Sequence, residues 1–166
     1  MTLTELATGS WTIDASRTVI TATAKMMSAA SVPATFTVVS GTISVTDGQL
    51  SSVEVIADAK SYTSSIGKRN KDVTSQKGLL DANNYPTITF TAAGGDEQRV
   101  SGEVEIKGKT VPLIFTVSKL DVQDDSASFE LAATLDRFSV GVDKSPAFVI
   151  GRDIDVQVAV VANKAS

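Results

Sequence analysis

The side chains best placed to do chemistry in this sequence are a basic cluster, Lys68, Arg69 and Lys71. Such a cluster can meet a phosphate or a carbonyl oxygen, with arginine the better phosphate partner because its planar fork bonds two oxygens at once. A solvated loop is the plainer alternative for the same residues. Asp121, Asp124 and Asp125 could attract a hard cation such as calcium, but they lack the alternating ligand spacing of a dedicated loop and read better as a solvated turn. Asp136 and Arg137 stand side by side at a strand end, where an ion pair or a capping contact would fix the corner. Trp11 and Tyr85 read as packed aromatics before they read as ligand contacts. Ser64, Ser65 and Ser75 have no base near them in the sequence, and the chain holds no His and no Cys. That double absence removes the Ser-His-Asp triad, the thiolate nucleophile, the disulfide and the commonest metal ligand. No catalytic residue, metal site or cofactor is assigned, and the expectation is a protein that is not an enzyme.

The elements that must position these residues are strands. Val53, Val55, Ala57 and Ala59 share one parity, as do Val100, Val104 and Ile106. The same holds for Val111 through Val117, for Ala127 through Leu135, and for Ile154 through Val160. Alternation with period two marks half-buried strands. Turn signals separate them at Asp47-Gly48, Gly94-Gly95-Asp96, Lys107-Gly108-Lys109 and Asp124-Asp125, and such short spacing implies antiparallel hairpins. One strand changes parity, from Phe36 and Val38 to Ile43 and Val45, with Gly41 between, so a bulge or bend is expected at Gly41. Short helices are predicted around residues 70–81 and 137–142. Counting Trp11 to Ile13 and a long strand from Arg17 to Met27, the chain reads as all-β, an antiparallel barrel of about eight strands.

The 166 residues suit one domain, spanning 1–166, with a core of its own. With 15 basic and 19 acidic side chains the net charge is -4, which gives the chain as a whole no pull on nucleic acid or anionic lipid. No run approaches the roughly 20 apolar residues of a membrane-spanning helix. The start at Met1 lacks a basic-then-apolar leader. The expectation is a soluble, cytoplasmic protein with no membrane span and no nucleic-acid partner.

Several short motifs, taken in order, resemble the YceI-like family, bacterial polyisoprenoid-binding proteins with a lipocalin-like barrel. Gly9-Ser10-Trp11-Thr12-Ile13-Asp14 is similar to the family's opening G-x-W-x-I-D. Phe36 with Ser40-Gly41-Thr42-Ile43 resembles F-x-V-x-x-G-x-I, and Leu79-Leu80-Asp81 followed by Tyr85-Pro86-Thr87-Ile88-Thr89-Phe90 resembles F-L-D…Y-P-x-I-x-F. Val104 to Thr110 is similar to L-T-I-x-G-x-T, and Leu135-Asp136-Arg137 with Val140-Gly141-Val142 to the late I-D-R…G-I/V. The chain departs from the family where it commonly has His-Ser, here Ser16-Arg17, and a second His, here Lys25. Its Arg-Asp before the helix appears as Arg69-Asn70. Thr21 and Thr23 replace apolar residues, which implies an altered cavity wall on that strand.

The resemblance implies a non-catalytic carrier for an isoprenoid-type lipid, polyprenyl or quinone-like, held inside the barrel, and it suggests a homodimer. A hydrocarbon ligand needs volume and apolar surface, since each buried methylene contributes about 0.8 kcal/mol. The inward parities supply a lining: Phe36, Val38, Ile43, Val53, Val55, Phe90, Val104, Ile106, Leu113, Phe115, Phe129, Leu131, Val156 and Val158. Small residues, Ala22, Ala24, Ala57, Ala59 and Ala133, leave space. Lys68 and Arg69 are the candidate headgroup contacts. The alternative is a barrel filled by its own side chains, acting as a structural or stress-associated interaction module without a lipid.

Overall fold

The computed structural model describes residues 6–27, 30–145 and 150–165. The chain opens with β1 (Gly9–Ile13), β2 (Val19–Met26), β3 (Ala30–Phe36), β4 (Val38–Thr46) and β5 (Gln49–Asp58). A 3-10 turn (Ala59–Ser61) and the helix α1 (Gly67–Ser75) follow. Then come β6 (Thr87–Gly95), β7 (Arg99–Ile106), β8 (Lys109–Gln123) and β9 (Ser126–Asp136). A second 3-10 turn (Arg137–Val140) leads towards β10 (Asp153–Lys164).

Every neighbouring pair is antiparallel, in the order β1-β4-β5-β6-β7-β8-β9-β10-β2-β3, and β1 also pairs with β10. That extra pairing closes the sheet. β10 holds β1 along Ala162 to Lys164 and β2 along Asp155 to Ala159, so β1 and β2 lie end to end on one neighbour. β3 and β4 are parted only by Thr37. Each couple is one broken stave, which makes the barrel eight-stranded, lipocalin-like and without a free edge over most of its girth.

Tight turns carry the hairpins. Asp47-Gly48 and Lys107-Gly108 have positive φ at both central residues (53° and 77°, 54° and 74°), the geometry whose twist matches paired strands. β8 and β9 run 15 and 11 residues, long enough to wall the barrel from end to end.

The parity change in β4 is achieved two residues before the expected place. The pairing with β5 slips between Val38 and Ser40, so Val39 and Ser40 both face out and Val38, Gly41, Ile43 and Val45 face in. Gly41 has a different task. A Cβ there would lie 2.6 Å from Ile13 Cδ1 and 3.0 Å from Ile13 Cβ, so the glycine lets β1 cross closely over the bend. Gly41→Val is expected to overpack this corner and cost about 1–3 kcal/mol, read as a lower urea midpoint with unchanged m-value.

The central helix departs from its predicted place. It spans Gly67–Ser75 rather than 70–81, and the residues after it fold back as turns. The reason is where its last carbonyls find partners. The amides of Leu80, Ala82 and Gln76 donate to the carbonyls of Val73 (2.9 Å), Thr74 (2.7 Å) and Asp72 (3.0 Å), ending the helix on its own returning chain. Its start is tied by Asn70, whose Oδ1 accepts from the Ser64 amide (2.7 Å) and hydroxyl (2.6 Å).

Candidate functional site: an apolar cavity with one polar mouth

The barrel encloses a cavity of about 560 Å³. That volume lies within the range of small-molecule pockets, roughly 300–1,000 Å³. Every residue predicted to line it does so except Val38, and Lys68 and Arg69 border it as well. Val38 is buried in the packed core beside the cavity instead, because the bulge at Val39 sets it against Ala57 at the barrel corner. Inside it, Phe90 meets Phe115 edge-on, with ring centres 5.0 Å apart.

One wall was only half foreseen. Ile20, Ala22, Ala24 and Met26 of β2 all face the cavity. Thr21 and Thr23, expected to alter the cavity wall, point to the outer face, since alternate residues of a strand point to opposite sides. The wall of β2 is therefore apolar, and its two alanines widen the bore. Ala57 on β5 does the same, whereas Ala59 and Ala133 do not reach the cavity.

The two ends differ. At the floor, Leu6, Leu50, Val100, Phe129 and Val160 close the bore. Beneath them lies Trp11, 1% exposed, its indole N–H donating to the Ala7 carbonyl at 3.0 Å. Tyr85, by contrast, is 40% exposed and lies outside the lining.

At the mouth the lining turns polar. Lys68, Arg69 and Asp72 come from α1, Gln76 caps its end, Tyr62 comes from the segment before it, and Lys144 and Ser145 from the segment after the second 3-10 turn. Tyr62 sits edge-on to Phe36 at 5.6 Å, and burial pushes its phenol pKa up, with nearby Arg69 pulling the other way. It stays a neutral hydroxyl at physiological pH. Lys144 Nζ donates to Gln76 Oε1, and Lys107 Nζ donates to the carbonyls of Lys77 and Gly141, the latter at 2.7 Å. These contacts stitch the α1 side of the mouth to the segment that follows β9.

Asp136 and Arg137 do not pair with each other. Asp136 Oδ1 accepts from the Phe138 amide (3.0 Å), capping the 3-10 turn, and its carboxylate takes a two-pronged contact from Arg152 (2.9 and 2.8 Å). The strand register explains the choice, since Asp136 lies opposite Asp153 on β10 and so beside Arg152. Arg137 turns inward, is 2% exposed, and donates to five backbone carbonyls.

The hydrogen bonds from Arg152, with those from the Phe138 and Ser139 amides, hold the Asp136 carboxyl below its ordinary pKa. A depressed folded pKa stabilises the fold above the ordinary carboxylate value, about 3.9, and that help fades as pH falls through the lower folded value. Asp136→Asn is therefore expected to flatten the loss of stability below about pH 4. Urea midpoints for wild type and variant at neutral pH and in that acid range, converging as the pH falls, check this.

Among the described residues, no three His, Cys, Asp or Glu side chains are grouped to hold a metal ion, and no helix is long and apolar enough to cross a membrane.

Fold and site together define a hollow lipocalin-like barrel, apolar along its bore and polar at one end. The YceI-like domain matches residues 11–162, and the chain belongs to that family. Its fold is similar to that of BcnA from Burkholderia cenocepacia, with a TM-score of 0.75 and 19% identity over 91% of this chain and 99% of that one. A polyisoprenoid binding domain from Saccharophagus degradans, implicated in plant cell wall breakdown, matches with a TM-score of 0.75 and 14% identity, covering 93% and 98% of the two chains. The Campylobacter jejuni YCEI protein matches with a TM-score of 0.63 and 18% identity, covering 79% and 82%. No curated protein matches the sequence.

Proposed function

We propose that this protein is a non-catalytic carrier that holds an isoprenoid-type lipid, polyprenyl or quinone-like, in the barrel. The carrying observation is the cavity of about 560 Å³, whose walls are aliphatic and aromatic and whose polar groups all stand at one end. Such a site suits a ligand with a long hydrocarbon body and one small polar end. The body lies against β2, β10 and the Phe90–Phe115 pair, and the polar end meets Tyr62, Lys68, Arg69 and Lys144. The family and the polyisoprenoid binding domain from Saccharophagus degradans support the same ligand class. An interaction module with a filled barrel requires a packed interior, which the cavity volume argues against. β3 ends the sheet order, and the part of its outer edge before Thr35, which is itself bonded to Thr63, suits pairing with a second copy, so a homodimer is part of this reading.

Native purification, organic-solvent extraction and mass spectrometry test the carrier role. A stoichiometric prenyl-type lipid is the expected result. An extract without lipid, from protein that also fails to take up added polyprenol or quinone, overturns it.

A further inference from the structure

The net charge of -4 hides a strong segregation. The segments that surround the mouth, residues 58–86, 107–109, 136–145 and 150–153, hold ten Lys or Arg and six Asp or Glu, while the rest of the chain holds five and thirteen. Two of the six acids are already engaged: Asp136 with Arg152, and Asp81, which is buried and bonded by Asn84. Among the described residues, Lys60, Lys68, Arg69, Lys71, Lys77 and Lys144 have no carboxylate within ion-pair distance. The hairpin turns at the opposite end carry Asp47, Asp96, Glu97, Asp124 and Asp125.

The acidic end is too far away to cancel the basic one. β9 has 11 residues. At about 3.3 Å per residue and a tilt near 40°, it separates the ends by roughly 25–30 Å. The Debye length in physiological salt is about 8 Å. A surface approaching the mouth therefore feels a cationic face. That face also carries apolar points. Met27, at the tip beyond β2, is 67% exposed, and Ile66, which borders the mouth, is 47% exposed. Exposed apolar side chains at the same end as unpaired lysines match the chemistry of an anionic lipid surface, with headgroup charge outside and hydrocarbon beneath.

We propose that the mouth end is a docking face for an anionic bilayer, which sets the cavity opening against the membrane and turns the acidic end away. This goes beyond the carrier reading and rests on it only for its purpose, because docking is measured whether or not the cavity is loaded.

Co-sedimentation of the whole protein with vesicles tests it, using phosphatidylglycerol mixed with phosphatidylcholine against phosphatidylcholine alone. Binding is expected only to the anionic vesicles, and it should fall with added salt. Lys71→Glu with Lys77→Glu, both outside the cavity lining, is expected to cut the partition coefficient more than about tenfold. Arg17→Glu with Lys119→Glu makes the same change in net charge away from the mouth and is expected to leave it within about twofold. Met27→Asp should also weaken binding. Thermal melts confirm that each variant is folded. Absence of binding to anionic vesicles overturns the proposal and leaves the basic face to an acidic protein partner. Equal losses in the two double variants overturn it as well, since net charge alone would then be responsible. Vesicle binding by a protein whose extract holds no lipid and that takes up no added polyprenol or quinone would keep the docking face and remove the carrier role, and the reverse pair of results would do the opposite.

Discussion

Ala22→Phe is expected to expel an apolar ligand while leaving the fold as stable as before. Ala22 faces the cavity from the middle of β2, opposite Val156 on β10. A phenyl ring placed there enters empty volume rather than packed side chains. If it displaces three or four methylenes of ligand, the loss is about 3 kcal/mol, on the order of a hundredfold in affinity. The control is the same substitution at Ala162. That residue is also an inward alanine, 1% exposed, but it lies beside Ile13 and Ala127 below the cavity floor. There the ring has no space and should cost about 1–3 kcal/mol. Titration with a polyprenol or quinone analogue gives the affinity, and urea unfolding gives the stability. Equal destabilisation by the two variants would mean that the bore is filled in solution. Unchanged affinity in Ala22→Phe would place the ligand elsewhere.

The contrast between those two alanines shows what the sequence could tell. Period-two alternation placed most of the lining correctly, because in a closed barrel the inward parity of every long strand meets the same interior. It could not separate Ala22 from Ala162, since both are small and inward. Only the three-dimensional taper of the barrel decides which one borders space. Val38 failed for a related reason. Its parity is right, but the bulge at Val39 moves it into the corner, and a bulge is set by strand pairing rather than by local residue type. The mouth was the least legible part. Lys68 and Arg69 were visible as a basic cluster, whereas Tyr62, Gln76 and Lys144 stand in segments without periodicity and are gathered only by the folding back of the chain after α1. The charge asymmetry was present in the composition by segment, yet the net value concealed it until the topology sorted the segments to opposite ends.

Arg137→Met is expected to be the most destabilising single change at the mouth. Nε of Arg137 donates to the Gly151 carbonyl (3.0 Å). One terminal nitrogen donates to Val142 and Lys144 (2.9 Å each), the other to Ser145 and Ile150 (2.8 Å each). All five donors of the guanidinium are thus used on backbone carbonyls, and the Phe138 ring stacks 4.5 Å from it. Residues 141–145, which follow the 3-10 turn, pair with no strand, so this side chain does the work of a sheet edge. Removing it strands several half-buried carbonyls, each costing up to about 1–3 kcal/mol when unsatisfied. Partial rescue by water brings the expected total to about 3–5 kcal/mol, or roughly ten degrees or more in Tm for a chain of this length. Arg137→Lys should recover little, because an ammonium offers three donors from one point and cannot span the fork. The partners are carbonyls, so the loss should be the same across neutral and mildly alkaline pH and insensitive to salt, unlike that of a carboxylate pair. Ligand release should quicken in parallel, since Val142, Lys144, Ser145 and Ile150 border the cavity. Melting curves and ligand dissociation rates for both variants provide the measurement. A Tm for Arg137→Met within a degree or two of wild type would mean that the carbonyls find water freely, and that Arg137 does not hold the mouth.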